Sequence, residues 1–104
     1  MRGDIFQLPA PRRTRGHEQQ RARYAVVVQA DALLALSTLL VAPTSASAHP
    51  ASFRPYIQIE GRETRVLVEQ TTVVDPQRLG RHCGQLTLSE TRALDDALAL
   101  VLGL

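Results

Sequence analysis

The chain has 104 residues, of which 44% are hydrophobic and 21% are charged. This length fits one compact domain spanning residues 1–104, and the composition excludes an intrinsically disordered chain. All 12 basic residues are arginines, but the net charge of +2 is too small to indicate nucleic-acid binding by itself.

Cysteine content and hydropathy indicate a cytoplasmic protein. Cys83 is the single cysteine, so the chain can form no internal disulfide, which fits a reducing compartment. The most apolar window, residues 25–43, contains Gln29 and Asp31 and is not predicted to span a membrane. We therefore expect a cytoplasmic protein without a membrane partner.

Short strands are predicted in the first part of the chain. Asp4–Leu8 reads as a strand that ends at two nearby prolines, which lack the N–H a ladder needs. A polar, arginine-rich loop follows at residues 9–21. The β-branched apolar run at residues 24–29 predicts a buried strand. Asp31 is placed to cap a short helical turn over residues 31–36.

Further strands alternate with loops in the middle of the chain. Residues 38–42 are predicted to form another buried strand, and residues 43–52, rich in Ser, Ala and Thr, a loop. Residues 53–60 alternate as a strand, and Gly61 marks a tight turn. The remaining strands are predicted at residues 65–69 and 72–74.

The end of the chain has a helical pattern. Thr87 and Glu90 have the spacing of a capping box. Leu94 and Leu98 recur at helical spacing, and Gly103 stands where a helix C-cap is expected. Several short strands followed by one terminal helix predict a β-rich α+β fold or a small barrel.

Several segments follow one another in the order and spacing of a known protein family. They are Arg2-Gly3-Asp4-Ile5-Phe6, Gly16-His17-Glu18-Gln19-Gln20 with Arg23, Ala25-Val26-Val27-Val28-Gln29, Val41-Ala42-Pro43-Thr44-Ser45, and Val66-Leu67-Val68-Glu69-Gln70. Together they resemble the MazF/PemK toxin endoribonucleases of type II toxin–antitoxin systems. The resemblance covers essentially the whole chain.

This resemblance implies an SH3-like small β-barrel with a C-terminal helix, the CcdB/MazF/Kid-type toxin fold, working as a homodimer. It also implies sequence-selective cleavage of single-stranded RNA, usually messenger RNA, without a metal or other cofactor. A MazE-like antitoxin is the expected protein partner, with a flexible tail that covers the RNA site.

The resemblance also implies roles for particular side chains. Arg23 is expected to bind phosphate, because its fork of donors matches two phosphate oxygens. Ser45 is expected to donate to the phosphate, and Glu18 and His17 are candidates for proton transfer. Taken alone, these residue types are more often surface charges and loop hydroxyls. Contacts to the substrate are expected from Thr44, Gln19, Glu69 and Gln70.

Some positions depart from the family pattern. Tyr24 stands where the family usually has Pro, Ser45 where Thr is common, and Leu67 where some PemK-like members have Arg. Two alternatives therefore stay open. One is a CcdB-like gyrase poison on the same fold, which does not need the pair of Arg23 and Ser45. The other is a non-catalytic homologue that binds RNA or antitoxin.

Overall fold

The computed structural model describes residues 1–9 and 23–104. Within these residues, a seven-stranded antiparallel sheet is followed by one α-helix. The elements are β1 (Asp4–Leu8), β2 (Arg23–Val27), β3 (Leu39–Ser45), β4 (Tyr56–Ile59), β5 (Arg62–Val66), β6 (Thr72–Val74), β7 (His82–Gln85) and α1 (Leu88–Leu102). No helix in this part of the chain is long and apolar enough to cross a membrane.

Strand β3 joins the two halves of the sheet. The strand order is β4-β5-β3-β2-β1-β7, with β6 also paired to β3. One edge of β3 pairs with β2, while the other edge pairs first with β6, at Leu39–Val41, and then with β5, at Thr44 and Ser45. Because its second partner changes along its length, the sheet curls into a half-barrel. This confirms the β-rich α+β fold class.

Both faces of the sheet bury apolar side chains. In β2, Val26 belongs to one core and its neighbours Ala25 and Val27 to another, as the two-residue period of a strand requires. This explains why the segment reads as a continuous apolar run. The inner core, which also takes Leu94 and Ala97 from α1, contains Ile5, Val26, Val28, Ala42, Ile57, Ile59, Val66, Val68, Leu86, Leu94 and Ala97.

Helix α1 begins and ends at the residues the sequence indicates. The Thr87 hydroxyl accepts from the Glu90 N–H at 3.1 Å, and the Glu90 carboxylate accepts from the Thr87 N–H at 2.9 Å. The other Glu90 oxygen accepts from the Gln58 N–H at 2.8 Å, so the same side chain attaches the β4 edge to the helix. Gly103 ends the helix in the left-handed region, with φ 72°.

Strand β3 is longer than predicted, because the assignment of residues 43–52 to a loop is wrong for residues 43–45. The N–H and C=O of a strand residue point to the same edge. The Pro43 carbonyl accepts from the Leu67 N–H at 2.8 Å, so the donor that proline lacks falls on the edge where β6 has ended and β5 begins. The β2 ladder on the opposite edge is unaffected.

Three other details also differ from the prediction. The strand predicted at 65–69 is β5, which stops at Val66, and Glu69 lies in a 3₁₀ turn, Val68–Gln70. The turn after β2 covers only Asp31–Leu33, and Asp31 does not cap it. Its carboxylate instead accepts from the Arg2 N–H at 2.6 Å. Strand β7 was not predicted, and all but Pro9 of the predicted loop at 9–21 lies outside the described residues.

We expect Leu94→Ala to lower the free energy of unfolding by about 2–5 kcal/mol, because Leu94 is fully buried between α1 and the sheet. Urea unfolding followed by circular dichroism measures this. The control is Leu100→Ala, an exposed leucine on the same helix, which should change stability by less than about 0.5 kcal/mol. Equal losses in the two variants would contradict the packing of α1 described above.

Candidate functional site

A cleft of about 870 Å³ opens where β2, β3 and β5 come together. The start of β2 contributes Arg23 and Tyr24, and the end of β3 contributes Thr44 and Ser45. Ala46 and Ser47 follow from the next loop, and Ile59, Arg62, Glu63 and Thr64 come from the β4–β5 hairpin. Three segments distant in sequence therefore meet at one concave surface.

Arg23 lies at the end of a ladder. It is the first residue of β2 and pairs with Leu8, the last residue of β1. Its side chain is exposed, and residues 1–9 and 23–104 form no ion pair with it. Arg23 thus lines the cleft without being held in an ion pair by any of these residues.

Two adjacent hydroxyls at the end of β3 also line the cleft. Thr44 pairs with Val66 and is 3% exposed, whereas Ser45 pairs with Arg65 and is only half-buried. The Ser45 Oγ lies 3.3 Å from the Ser47 Oγ. Adjacent strand residues point to opposite faces, yet both residues border the cleft at the end of β3. Ser45 offers the more accessible hydroxyl.

Glu69 and Gln70 do not line this cleft. One oxygen of the Glu69 carboxylate accepts from Arg54 Nε at 3.0 Å and from Nη2 at 2.6 Å. These hydrogen bonds lower the pKa of Glu69 below its usual value. Arg54 also donates to the His49 carbonyl at 3.2 Å. The ion pair of Arg54 and Glu69 therefore connects the loop after β3 to the turn after β5. His17, Glu18 and Gln19 lie outside the described residues.

Arg62 and Glu63 border the cleft and were not identified from the sequence. A two-residue turn, Glu60-Gly61, places them there, since Ile59 pairs with Arg62 across the hairpin. In the sequence, Gly61 predicts this turn, and its position directly after the strand predicted at 53–60 indicates the hairpin. The sequence did not reveal that β5 pairs with the end of β3, which brings these two charged residues into the cleft that Ser45 also lines.

A hydrogen-bonded chain of three side chains borders the cleft at Tyr24. The Tyr24 hydroxyl donates to Glu60 Oε1 at 3.4 Å, and Arg81 Nη2 lies 3.0 Å from Glu60 Oε2. Burial and the negative charge of Glu60 raise the pKa of Tyr24, so its hydroxyl stays protonated at neutral pH. Glu60 is in the β4–β5 turn and Arg81 precedes β7. The chain therefore connects the two ends of the strand order.

The cleft can bind an anion through two guanidinium groups, Arg23 and Arg62, and donate hydrogen bonds through hydroxyls. Glu63 is the only carboxylate among its described lining residues. In residues 1–9 and 23–104, no group of three or more His, Cys, Asp or Glu side chains is arranged to hold a metal ion. The described surface is thus suited to a phosphate-containing ligand.

The sequence matches a known protein family and a curated protein. Residues 1–102 match the family model described as PemK-like, MazF-like toxin of type II toxin–antitoxin system. A Mycobacterium tuberculosis protein named as a toxin, Rv3098A, is 40% identical over 74 residues, which cover 71% of this chain and 69% of that protein.

Solved structures add similarity of fold at low sequence identity. A mycobacterial endoribonuclease, solved in complex with its cognate antitoxin, is 15% identical with a TM-score of 0.80, covering 100% of this chain and 95% of that one. The Mycobacterium tuberculosis toxin MazF-mt6 is 18% identical with a TM-score of 0.78, covering 97% of both chains.

Proposed function

Because the chain belongs to the PemK-like, MazF-like toxin family of type II toxin–antitoxin systems, we propose that it is an endoribonuclease. It cleaves single-stranded RNA, mainly messenger RNA, in a sequence-selective manner and without a metal ion. The observation that carries this proposal is the cleft, which Arg23, at the start of β2, lines together with the hydroxyls of Thr44 and Ser45, at the end of the neighbouring β3. One solved structure of the same fold is described as an endoribonuclease in complex with its cognate antitoxin, which supports the same activity here.

The proposed reaction uses the 2′-hydroxyl of the RNA as nucleophile. Its oxygen attacks the adjacent phosphorus, the bond to the 5′-oxygen of the next nucleotide breaks, and a 2′,3′-cyclic phosphate and a 5′-hydroxyl result. A base must take the proton of the nucleophile, and an acid must give one to the leaving oxygen. Negative charge accumulates on the phosphoryl oxygens, where preorganised donors stabilise it most effectively.

Arg23 is the proposed stabiliser of this charge. Its guanidinium can present two parallel N–H donors to two phosphoryl oxygens, a geometry that a lysine cannot reproduce. Ser45 is proposed to donate a further hydrogen bond to the same phosphate. Glu18 and His17 are proposed for proton transfer, since a carboxylate and an imidazole can both exchange protons near neutral pH when their environment permits.

The two alternatives from the sequence have less support. Leu67 is buried and its N–H donates to Pro43, so its side chain adds no charge to the cleft. A proton-transfer scheme that uses the arginine found at this position in some PemK-like members therefore does not apply here, but Arg23 and Ser45 are still present. A gyrase poison needs neither of these residues. A non-catalytic RNA-binding homologue would keep the cleft yet leave RNA intact, which the following experiment distinguishes.

We expect the purified protein to cleave a long single-stranded RNA in the presence of EDTA, and Arg23→Ala to slow cleavage about a hundredfold or more. Arg23→Lys should restore little activity because lysine lacks the fork. Arg92→Ala, an exposed arginine of α1 outside the cleft, is the matched control and should cleave normally. Loss of wild-type cleavage in EDTA with recovery on adding a divalent ion would refute the metal-independent mechanism. An unimpaired Arg23→Ala enzyme would refute the role of Arg23.

The neighbouring hydroxyls give a second test. We expect Ser45→Ala to reduce the cleavage rate strongly and Ser45→Thr to retain it, because threonine presents an equivalent donor. Thr44→Val, which preserves the shape of a buried side chain, should have the smaller effect, and Ser89→Ala, at an exposed serine of α1 outside the cleft, serves as the control. Time courses on one RNA measure all four rates. If Thr44→Val is inactive and Ser45→Ala is normal, the role belongs to Thr44.

The proposal also includes the assembly of the protein, which forms a homodimer that a MazE-like antitoxin inhibits. Several apolar side chains are exposed on the single chain, which supports a surface that a second copy covers. Leu40 and Val73, which pair across β3 and β6, are among them. We expect light scattering to give the mass of a dimer, and an acidic antitoxin segment to displace labelled, uncleavable RNA. A stable monomer at micromolar concentration would argue against the dimer. Undisturbed RNA binding in the antitoxin complex would argue against competition at the cleft.

A further inference from the structure

Tyr24 is the one aromatic residue among the described residues that line the cleft. The ring of Tyr56, on the neighbouring β4, is covered by the Arg65 guanidinium, which lies 3.7 Å from its centroid. Phe6 makes an edge contact with His82, with ring centroids 5.2 Å apart, and borders a different pocket. A flat ligand that enters the cleft therefore meets one aromatic surface, that of Tyr24.

The hydroxyl of this ring is held from outside the cleft. One carboxylate oxygen of Glu60 accepts a hydrogen bond from the Tyr24 hydroxyl, and the other oxygen forms an ion pair with Arg81. Glu60 has φ 52°, the left-handed conformation that Gly, Asn and Asp usually supply in a two-residue hairpin turn. A longer side chain in this strained position is explained by the two contacts its carboxylate makes.

Single-stranded RNA presents unpaired bases that stack on aromatic side chains, and this contact is a principal means of recognition. Tyr24 directly follows Arg23 on β2, and although adjacent strand residues point to opposite faces, both residues line the cleft at the start of this strand. A ring fixed by its hydroxyl loses little conformational entropy when a base packs against it. The arrangement suits a nucleotide bound through its phosphate and its base together.

We propose that Tyr24 is a specificity-determining residue of the cleft, which binds an unpaired RNA base next to the cleaved phosphate while Glu60 and Arg81 hold its ring in place. This inference rests on the proposed RNA cleavage. The competing explanation is that the ring only covers the inner core, against which it packs.

Substitution separates these two explanations. Tyr24→Leu keeps an apolar cover over the inner core and removes the aromatic surface. Tyr24→Phe keeps the surface and removes the hydrogen bond to Glu60. Tyr56→Leu is the matched control, an aromatic residue outside the cleft. If Tyr24→Leu does not fold, Tyr24→Met replaces it, because methionine adapts to irregular gaps in a core.

The experiment maps the cleavage sites of each variant on one long single-stranded RNA by sequencing the 5′-ends of the products. Affinity is then measured with an oligonucleotide of the mapped wild-type site that carries a 2′-deoxy nucleotide at the cut. We expect Tyr24→Leu to bind about 5- to 100-fold more weakly and to lose base preference at one position beside the cut. Tyr24→Phe should retain the preference, and Tyr56→Leu should match the wild type.

The outcomes are distinguishable. Wild-type cleavage together with an unchanged affinity and base preference in Tyr24→Leu would overturn the role of Tyr24 and leave the proposed function standing. A wild-type chain that neither binds nor cleaves RNA would overturn the proposed function, and this inference with it. A folded Tyr24→Leu variant with weaker binding but the wild-type base preference would show that the ring is only structural.

Discussion

The change of partner along β3 is the constraint on which the rest of the structure depends. One edge of this strand pairs with β2 at residues 41–43, while the other edge pairs with β6 at its start and with β5 at its end. Two strands share the second edge, and the twisted sheet curls into a half-barrel. Curling gives the concave face that α1 fills with Leu94 and Ala97, and it brings the β4–β5 hairpin beside the start of β2.

The cleft is a direct product of that curl. Pro43 marks the position where β3 changes partner, and the next two residues, Thr44 and Ser45, carry the hydroxyls that line the cleft. Because proline has no N–H, β3 lacks a hydrogen-bond donor at this junction, on the edge where β6 has ended and β5 begins. The same few residues therefore set the shape of the sheet and face the candidate ligand. Substitutions in this segment that alter the backbone should disturb both properties together.

Local signals predicted the elements that local interactions stabilise. The capping box of Thr87 and Glu90 gave the start of α1, and Gly61 gave the β4–β5 turn, because each depends on residues close in sequence. Strand β7 was missed because it lacks an apolar alternation and is defined by its pairing with β1. In the site, family resemblance gave Arg23, Thr44 and Ser45. Arg62, Glu63 and the anchoring of Tyr24 depend on long-range register, and no sequence pattern encodes them.

The pairing of β1 with β7 has a consequence for synthesis on the ribosome. β1 emerges early, but its partner on that edge emerges after all the other strands, and Arg81, which anchors the Glu60 carboxylate, emerges just before it. Contacts between such distant residues form late in folding, because a long loop must close first. The nascent chain thus carries an unfinished sheet while its own messenger is still being read. The wall of the cleft gains the contact from Arg81 only after every strand before β7 has been synthesised.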